Sequence, residues 1–406
     1  MPNPNGFARF KRILAELGNP EKEFKAIHIA GTNGKGSTSI MTASILETAG
    51  YKVGLYTSPH LETECERVQI WDGTHRMIEQ DHFNDLMSRA REAGEKILKE
   101  DGDSGKLTLF EIYTAAAFMF FEEETPDYIV LECGLGGRLD MTNTLERPLA
   151  SVITQVGLDH TAELGSTIYK IAHEKAGIIK PGVPVVSQSA ELAVKNILKR
   201  TAEEKGCRFI DVSQLIDSYR NCEIRMRGTH QIKNAAAAAE AVRASGIPVS
   251  EDDIRKGLAR AFLPGRFEIL SENPYWIIDG AHNPDAIDAL TDTFNAFARE
   301  HKLKRSLVIF GCMKDKNCAR MIQLLTDKLR GVRYAAAAVS YSRAEDPEVI
   351  GGRFTERGRS CICYESVEEA YHDAINSNYE CVLITGSIYI AGAMRGYFLG
   401  EKSKFV

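Results

Sequence analysis

FKAIHIAGTNGKGS, residues 24–37, runs from an apolar, strand-like segment into a glycine-rich turn that closes on a lysine and, just beyond it, the hydroxyls of Ser37 and Thr38. Small glycines let backbone N–H groups turn inward on phosphate oxygens. Lys35 adds a point charge, and the helix expected next presents the positive end of its dipole. The pattern points to ATP chemistry, with Thr32, Asn33, Gly34, Lys35, Gly36, Ser37 and Thr38 as the contacting residues. Its spacing is a variant: Ile29 stands where the common phosphate loop has Gly or Ala, and Gly36 separates Lys35 from the two hydroxyls. A glycine-rich turn between a strand and a helix is also an ordinary connection, so the loop needs support from the rest of the chain.

A chain of 406 residues can bury a large core and predicts about two domains. Lys and Arg number 50 against 56 Asp and Glu, and the net charge of −6 gives no electrostatic case for nucleic acid or an anionic membrane. Small-molecule partners are expected, and a monomer. Nine cysteines without paired CxxC spacing suit a reducing cytoplasm. Cys361 and Cys363 alternate along a strand-like run and read as small hydrophobes rather than a metal knuckle. No apolar stretch reaches about 18 residues, and MPNPNGFARF lacks the apolar centre of a signal peptide, which together predict a soluble cytoplasmic protein.

Short β-branched runs at 51–58, 127–134, 150–157 and 183–188 alternate with amphipathic or Ala-rich stretches, the pattern of a mostly parallel sheet covered by helices. Helices are expected from about Phe83 to Glu100 and over 230–246, with a surface loop at DGDSG, residues 101–105. Pro264-Gly265 breaks the periodicity and sets the expected boundary: an ATP- and pterin-binding domain over 1–264 and a smaller Rossmann-like domain over 265–406. The second βα series has strands near 275–282, 305–311, 333–341 and 380–386. The fold class is therefore α/β, a phosphate-loop sheet with helices on both faces plus the smaller C-terminal domain.

Further segments join the loop: TSPHL (57–61), LTLFE (107–111), ECGLGGRLDMTN (132–143), VGLDHTAELGSTIYKIAHEKAGIIKPG (156–182), HQIKNAAAA (230–238), PGRFE (264–268) and DGAHNP (279–284). In this order and spacing the chain resembles the folylpolyglutamate synthase and dihydrofolate synthase family, the folate branch of the muramyl-ligase superfamily, from about Arg9 onward. GLGG at 134–137 is not a dinucleotide fingerprint, because Leu139 holds the third glycine position and DMTNTLERP is a poor helix start.

Phosphoryl transfer from ATP needs Mg²⁺, which takes hard oxygen ligands. Glu132 at the end of a strand and Ser37 or Thr38 at the loop are suitable by chemistry alone. The resemblance adds Ser58 and His160 to Glu132 as ligands of a second Mg²⁺, although imidazole is an unusual choice by softness. It also implies a carbamylated Lys175, on a helix whose apolar positions Ile168, Ile171, Ala172, Ala176 and Ile179 predict a buried face. By the same resemblance Thr108, Leu109, Phe110, Glu111, Leu139, Asp140 and Met141 lie beside the pterin. Met141 stands where a small residue is usual, and Phe110 reads equally as a stacking partner or as core. Asn234, Arg266 and Asp279 match the remaining ATP contacts, and His282 is a further candidate near the nucleotide or a helix cap. Arg266 and Asp279 fall beyond the boundary, which implies a nucleotide clamped by both domains.

The function implied is ATP-dependent ligation of L-glutamate to dihydropteroate or a folate through an acyl phosphate, with Lys35, Lys175, Arg266 and His282 as catalytic candidates and ATP and Mg²⁺ required. Two alternatives stay open: a muramyl-type ligase acting on another carboxylate, and an ATP-binding pseudoenzyme.

Overall fold

The computed structural model describes residues 4–102 and 105–400. Met1–Asn3 of the N-terminal stretch and Asp103 and Ser104 of the expected DGDSG loop lie outside the described residues. The chain forms two compact units. The first comprises the chain up to His60, Glu64–Arg225 and Gln231–Phe262; the second comprises Leu61–Thr63, Met226–His230 and the chain from Leu263.

In the first unit the strands are β1 (Ala26–Ala30), β2 (Val53–Tyr56), β3 (Val68–Trp71), β4 (His75–Met77), β5 (Tyr128–Glu132), β6 (Ala150–Ile153), β7 (Val185–Ser187) and β8 (Phe209–Asp211). They form one sheet in the order β4-β3-β2-β5-β1-β6-β7-β8. β1 lies in the middle, parallel to β5 and β6, with Ile29 opposite Glu132 and Val152. Only β3 and β4 run antiparallel to their neighbours among the described strands of this sheet. The sequence runs did not signal β3, β4 or β8, since these strands are only three or four residues long and β4 is exposed throughout.

The helices are α1 (Pro4–Glu16), α2 (Lys35–Thr48), α3 (Gln80–Glu100), α4 (Leu109–Glu124), α5 (Thr161–Leu164), α6 (Ile168–Ala176), α7 (Leu192–Glu204), α8 (Thr229–Ser245) and α9 (Glu251–Arg260). Side chains alternate across a strand, so Ala26, His28 and Ala30 of β1 share one face and Ile27 and Ile29 the other. On the first face Phe10 and Leu14 of α1, Phe83 and Leu86 of α3 and Phe118 and Phe121 of α4 pack with Ile129 and Leu131. Ile171 of α6 and Val194 and Leu198 of α7 pack with Ala30, Ile153 and Val185. α2 packs on β1, β2 and β5 and against α9. There Gly257 allows backbone-to-backbone approach: a Cβ would lie 2.5 Å from Ile45 Cα.

The second unit carries β9 (Glu268–Glu272), β10 (Tyr275–Ile278), β11 (Ser306–Phe310), β12 (Val332–Ala337), β13 (Cys361–Tyr364) and β14 (Cys381–Thr385), in the order β13-β12-β11-β14-β10-β9. All pairings are parallel except β9 with β10. The sheet is covered by α10 (Pro284–Glu300), α11 (Cys318–Lys328), α12 (Pro347–Glu356), α13 (Val367–Ile375) and α14 (Ile388–Leu399). The alternation along β11 divides the core cleanly. Val308 and Phe310 face α10, α11 and α12, while Leu307 and Ile309 face α13 and α14. Arg395 of α14 holds Glu62 at 3.0 Å and Glu268 at 3.1 Å, fixing the Leu61–Thr63 segment to this unit.

All nine cysteines are free. Among the described residues no helix is long and apolar enough to cross a membrane.

Candidate active site

The phosphate-loop segment leaves the carboxyl end of β1, the end at which parallel sheets present ligand sites. Thr32 and Asn33 are pinned by their N–H groups to the Gln155 carbonyl at 2.7 and 3.2 Å, and Thr32 Oγ1 donates to Gly157 O at 3.1 Å. Gly34 caps α2 at φ 88°, a left-handed conformation that costs a side-chain-bearing residue about 1–2 kcal/mol. A Cβ there would also lie 2.4 Å from Asn234 Oδ1. The helix begins at Lys35, which corrects two expectations. Lys35, read as closing the glycine-rich turn, is the half-buried first residue of the helix, and Ser37 and Thr38, expected at the loop, belong to the first helical turn. The reason is that Gly34 supplies the positive φ that lets α2 start at once. Thr38 Oγ1 is buried without a hydrogen-bond partner, a hard oxygen at the helix N-terminus.

Lys35 Nζ folds back to the carbonyls of Gly31 at 3.1 Å and Thr32 at 3.2 Å. Lys175 reaches the same Gly31 carbonyl at 2.6 Å from α6 and is 2% exposed. The apolar positions Ile171, Ala172 and Ala176 of that helix are buried with it. Removing an ammonium from water costs several kcal/mol, and one hydrogen bond to a carbonyl returns only about 1–3 kcal/mol. Burial, and secondarily the charge of Lys35, therefore lowers the Lys175 pKa to about 7.

Glu132 ends β5 and is 3% exposed rather than solvated. Its Oε2 accepts the Ser58 N–H at 3.2 Å, so the structure brings these two together. His160 caps α5 at φ 48°, and its Nδ1 lies 3.9 Å from Glu163 Oε2. Among the described residues no group of three or more His, Cys, Asp or Glu gathers as a metal cage. Sparse hydroxyl and carboxylate oxygens suit Mg²⁺, which takes one or two carboxylates, keeps waters and binds substrate phosphates. Ser37, Thr38, Ser58 and Glu132 fit that description.

Asn234 of α8 is buried, accepting from Gln188 Nε2 at 2.9 Å and donating to Gln231 at 2.8 Å. Sequence reasoning missed Gln188 and Gln231, because nothing in their spacing sets them apart.

Thr108 and Glu111 form a capping box on α4, and Arg9 pairs with the buried Glu111 at 2.8 Å. Leu109 is 60% exposed. Phe110 packs on Gly134, where a Cβ would come within 2.4 Å of its ring. Leu139 is half-buried, Met141 packs beside the first-unit core, and Asp140 caps the 3-10 turn Met141–Thr144. Burial pushes the Asp140 carboxyl upward against the hydrogen bonds it accepts from Leu135 and Thr142.

In the second unit Asp279 accepts Phe267 N–H at 2.8 Å and Ala281 N–H at 2.9 Å. Burial raises its pKa, and Arg266 opposes the shift. Arg266 lies against Gly280, where a Cβ would meet its Nη1 at 2.6 Å. His282 Nδ1 lies 2.9 Å from Gly280 O; of its two readings, nucleotide contact or helix cap, the cap is ruled out, because the α10 cap is Asn283, whose side chain accepts from Ala286 N–H. Asn reaches the third helical N–H from the cap position, which His282, one residue earlier, does not occupy.

Residues 29–214 match the Mur ligase middle domain, and residues 265–388 the Mur ligase, glutamate ligase domain. The chain is 34% identical over 421 residues to the dihydrofolate synthase/folylpolyglutamate synthase of Bacillus subtilis, covering 96% of this chain and 94% of that one. It superposes on Escherichia coli FolC in complex with DHPP and ADP with a TM-score of 0.83 at 31% identity, covering 97% of this chain and 92% of that chain. The bifunctional folylpolyglutamate synthase/dihydrofolate synthase of Yersinia pestis, complexed with AMPPNP and Mn ion, matches at a TM-score of 0.82 and 28% identity over 97% and 93%. With both domain models matched and a relative 34% identical over 96% of the chain, the chain belongs to the dihydrofolate synthase/folylpolyglutamate synthase family of Mur ligases.

Proposed function

We propose that this chain ligates L-glutamate to dihydropteroate or a folyl(poly)glutamate with ATP, releasing ADP and phosphate. The observation that carries the reading is the convergence of Lys35 and the buried Lys175 on one carbonyl, Gly31 O, at the N-terminal end of α2. The acceptor carboxylate attacks the γ-phosphorus, forming an acyl phosphate as ADP leaves. The glutamate α-amine then attacks the carbonyl, and phosphate departs as the amide forms and the amine loses a proton.

The chain's own part is positioning and charge. Lys35, the loop N–H groups of Thr32 to Thr38 and Arg266 hold the phosphates, while Asn234 and Asp279 contact the rest of the nucleotide and His282 lies near it. Thr108–Glu111 and Leu139–Met141 hold the pterin. Lys175, with its pKa near 7, presents the neutral amine that reacts with carbon dioxide to give a carbamate and a proton. That turns an ammonium into an anion close to the phosphates. Ser37, Ser58, Glu132 and His160 are the proposed metal ligands; Mg²⁺, when bound, neutralises phosphate oxygens. On this reading residues 1–264 bind ATP and pterin and 265–406 form the ligase domain, in a cytoplasmic monomer.

Phosphate release by the purified chain, measured with dihydropteroate and with tetrahydrofolate, each with and without L-glutamate, tests the reading. Glutamate-dependent release with at least one acceptor is expected. Release that ignores glutamate, or none with either acceptor, overturns it.

A further inference from the structure

The proposed mechanism leaves one buried polar chain unused, in the middle of the first-unit sheet. His28 is fully buried on β1, the strand that delivers the phosphate loop. Its Nε2 lies 2.8 Å from Thr142 Oγ1 and 3.1 Å from Cys133 Sγ. Thr142 Oγ1 lies 2.6 Å from Asp140 Oδ1, which also accepts Thr142 N–H at 3.0 Å, and Asp140 Oδ2 accepts Leu135 N–H at 2.8 Å.

The directions of these bonds follow from counting protons. A threonine hydroxyl has one, and a short bond to a carboxylate is about twice as strong as a neutral one, so that proton goes to Asp140. Thr142 can then only accept from His28, which must carry its hydrogen on Nε2. This assigns the tautomer, and it leaves Nδ1 as a bare lone pair. Nδ1 indeed has no partner, and a stranded acceptor is more readily tolerated than a stranded N–H. Burial keeps the ring neutral, lowering its pKa to about 3, with Lys180 a lesser cause. A neutral donor in a fixed tautomer thus stands behind Asp140 at any ordinary pH. Asp140, in turn, is a buried carboxylate whose charge is opposed by desolvation, so each donated hydrogen bond helps to decide where it points.

We propose that His28 is a positioning residue for the pterin-bearing acceptor: through Thr142 it holds Asp140 in the orientation the acceptor meets. The inference rests on the reading of Asp140 as an acceptor contact. Steady-state kinetics with ATP, Mg²⁺, L-glutamate and whichever of dihydropteroate or tetrahydrofolate the wild type uses provide the test. His28→Leu removes the donor; KM for the acceptor is expected to rise about tenfold with KM for ATP unchanged, the size of one buried hydrogen bond between neutral groups. His28→Gln, which keeps an N–H near the Nε2 position, should restore most of the loss. Thr142→Val should reproduce it, and the double variant should be no worse than Thr142→Val, since both break one chain. An unchanged acceptor KM in His28→Leu, an equal rise for ATP and acceptor, or no recovery in a His28→Gln protein with wild-type circular dichroism overturns the proposal. If His28→Leu does not fold, Thr142→Val with a wild-type acceptor KM overturns it instead. Asp140→Asn separates the two readings: an unchanged acceptor KM removes Asp140 from the site and the proposal with it. A raised KM in Asp140→Asn beside an unchanged His28→Leu removes the relay alone.

Discussion

Lys175 concentrates the residue-scale physics: a cation at its ordinary pKa would be charged, but burial brings it to about 7. Between about pH 7 and the ordinary lysine pKa near 10.4, the unfolded chain binds a proton that the folded chain has lost, so this residue makes stability rise with pH. Below that window both states are protonated and the burial penalty is fully present. In carbonate-free buffer, the midpoint of thermal unfolding should therefore climb less steeply between pH 7 and 10 in Lys175→Met than in the wild type. Parallel curves would count against the depressed value. With bicarbonate present, Lys175→Arg should lose activity by about a hundredfold or more, because a guanidinium keeps positive charge where an anion is proposed. Addition of a short carboxylic acid should partly restore Lys175→Ala and leave Lys175→Arg unchanged. That Lys175 faces inward was legible from the spacing of Ile171, Ala172 and Ala176, yet its meeting with Lys35 at Gly31 was not. Two residues 140 apart in sequence share an acceptor only because α6 is packed beside the sheet.

Among the elements, α2 and α4 show how a helix start becomes part of a site. Gly34→Ala would put a Cβ 2.4 Å from Asn234 Oδ1 at φ 88°, so it should raise KM for ATP and lower stability by about 1–2 kcal/mol. ADP formation and urea unfolding would report the two effects. Arg9→Ala, on α1, leaves Glu111 of α4 buried and without its cation. A loss of about 2 kcal/mol is expected, below the range for fully buried pairs because Arg9 keeps some contact with solvent. Arg9 carries no sequence signal for this role, since its partner lies 102 residues away. The LTLFE segment is assigned to the pterin by resemblance, and its Thr108–Glu111 pairing is also a capping box that starts α4, a structural use of the same residues.

At the scale of the molecule, alternating apolar runs were enough to read two α/β sheets. They could not reveal β3, β4, β8 and β9, whose three to five residues carry too little apolar periodicity. A ligand bound only by the folded chain stabilises it by about 2.7 kcal/mol at a hundredfold excess over its Kd. A non-hydrolysable ATP analogue with Mg²⁺ should therefore raise the unfolding midpoint of the wild type, and raise that of Lys35→Ala much less. Equal shifts would remove Lys35 from the nucleotide site. The Arg395 clamp has a different consequence, one of time. Glu62 is synthesised 333 residues before Arg395 binds it, and Gly392 of the same helix abuts the Leu61 carbonyl. The second unit thus recruits one of its pieces from the early chain and closes on it with its last described helix. While the ribosome is still adding the intervening residues, Leu61–Thr63 must wait, so on a growing chain this unit is completed only after Arg395 has been made.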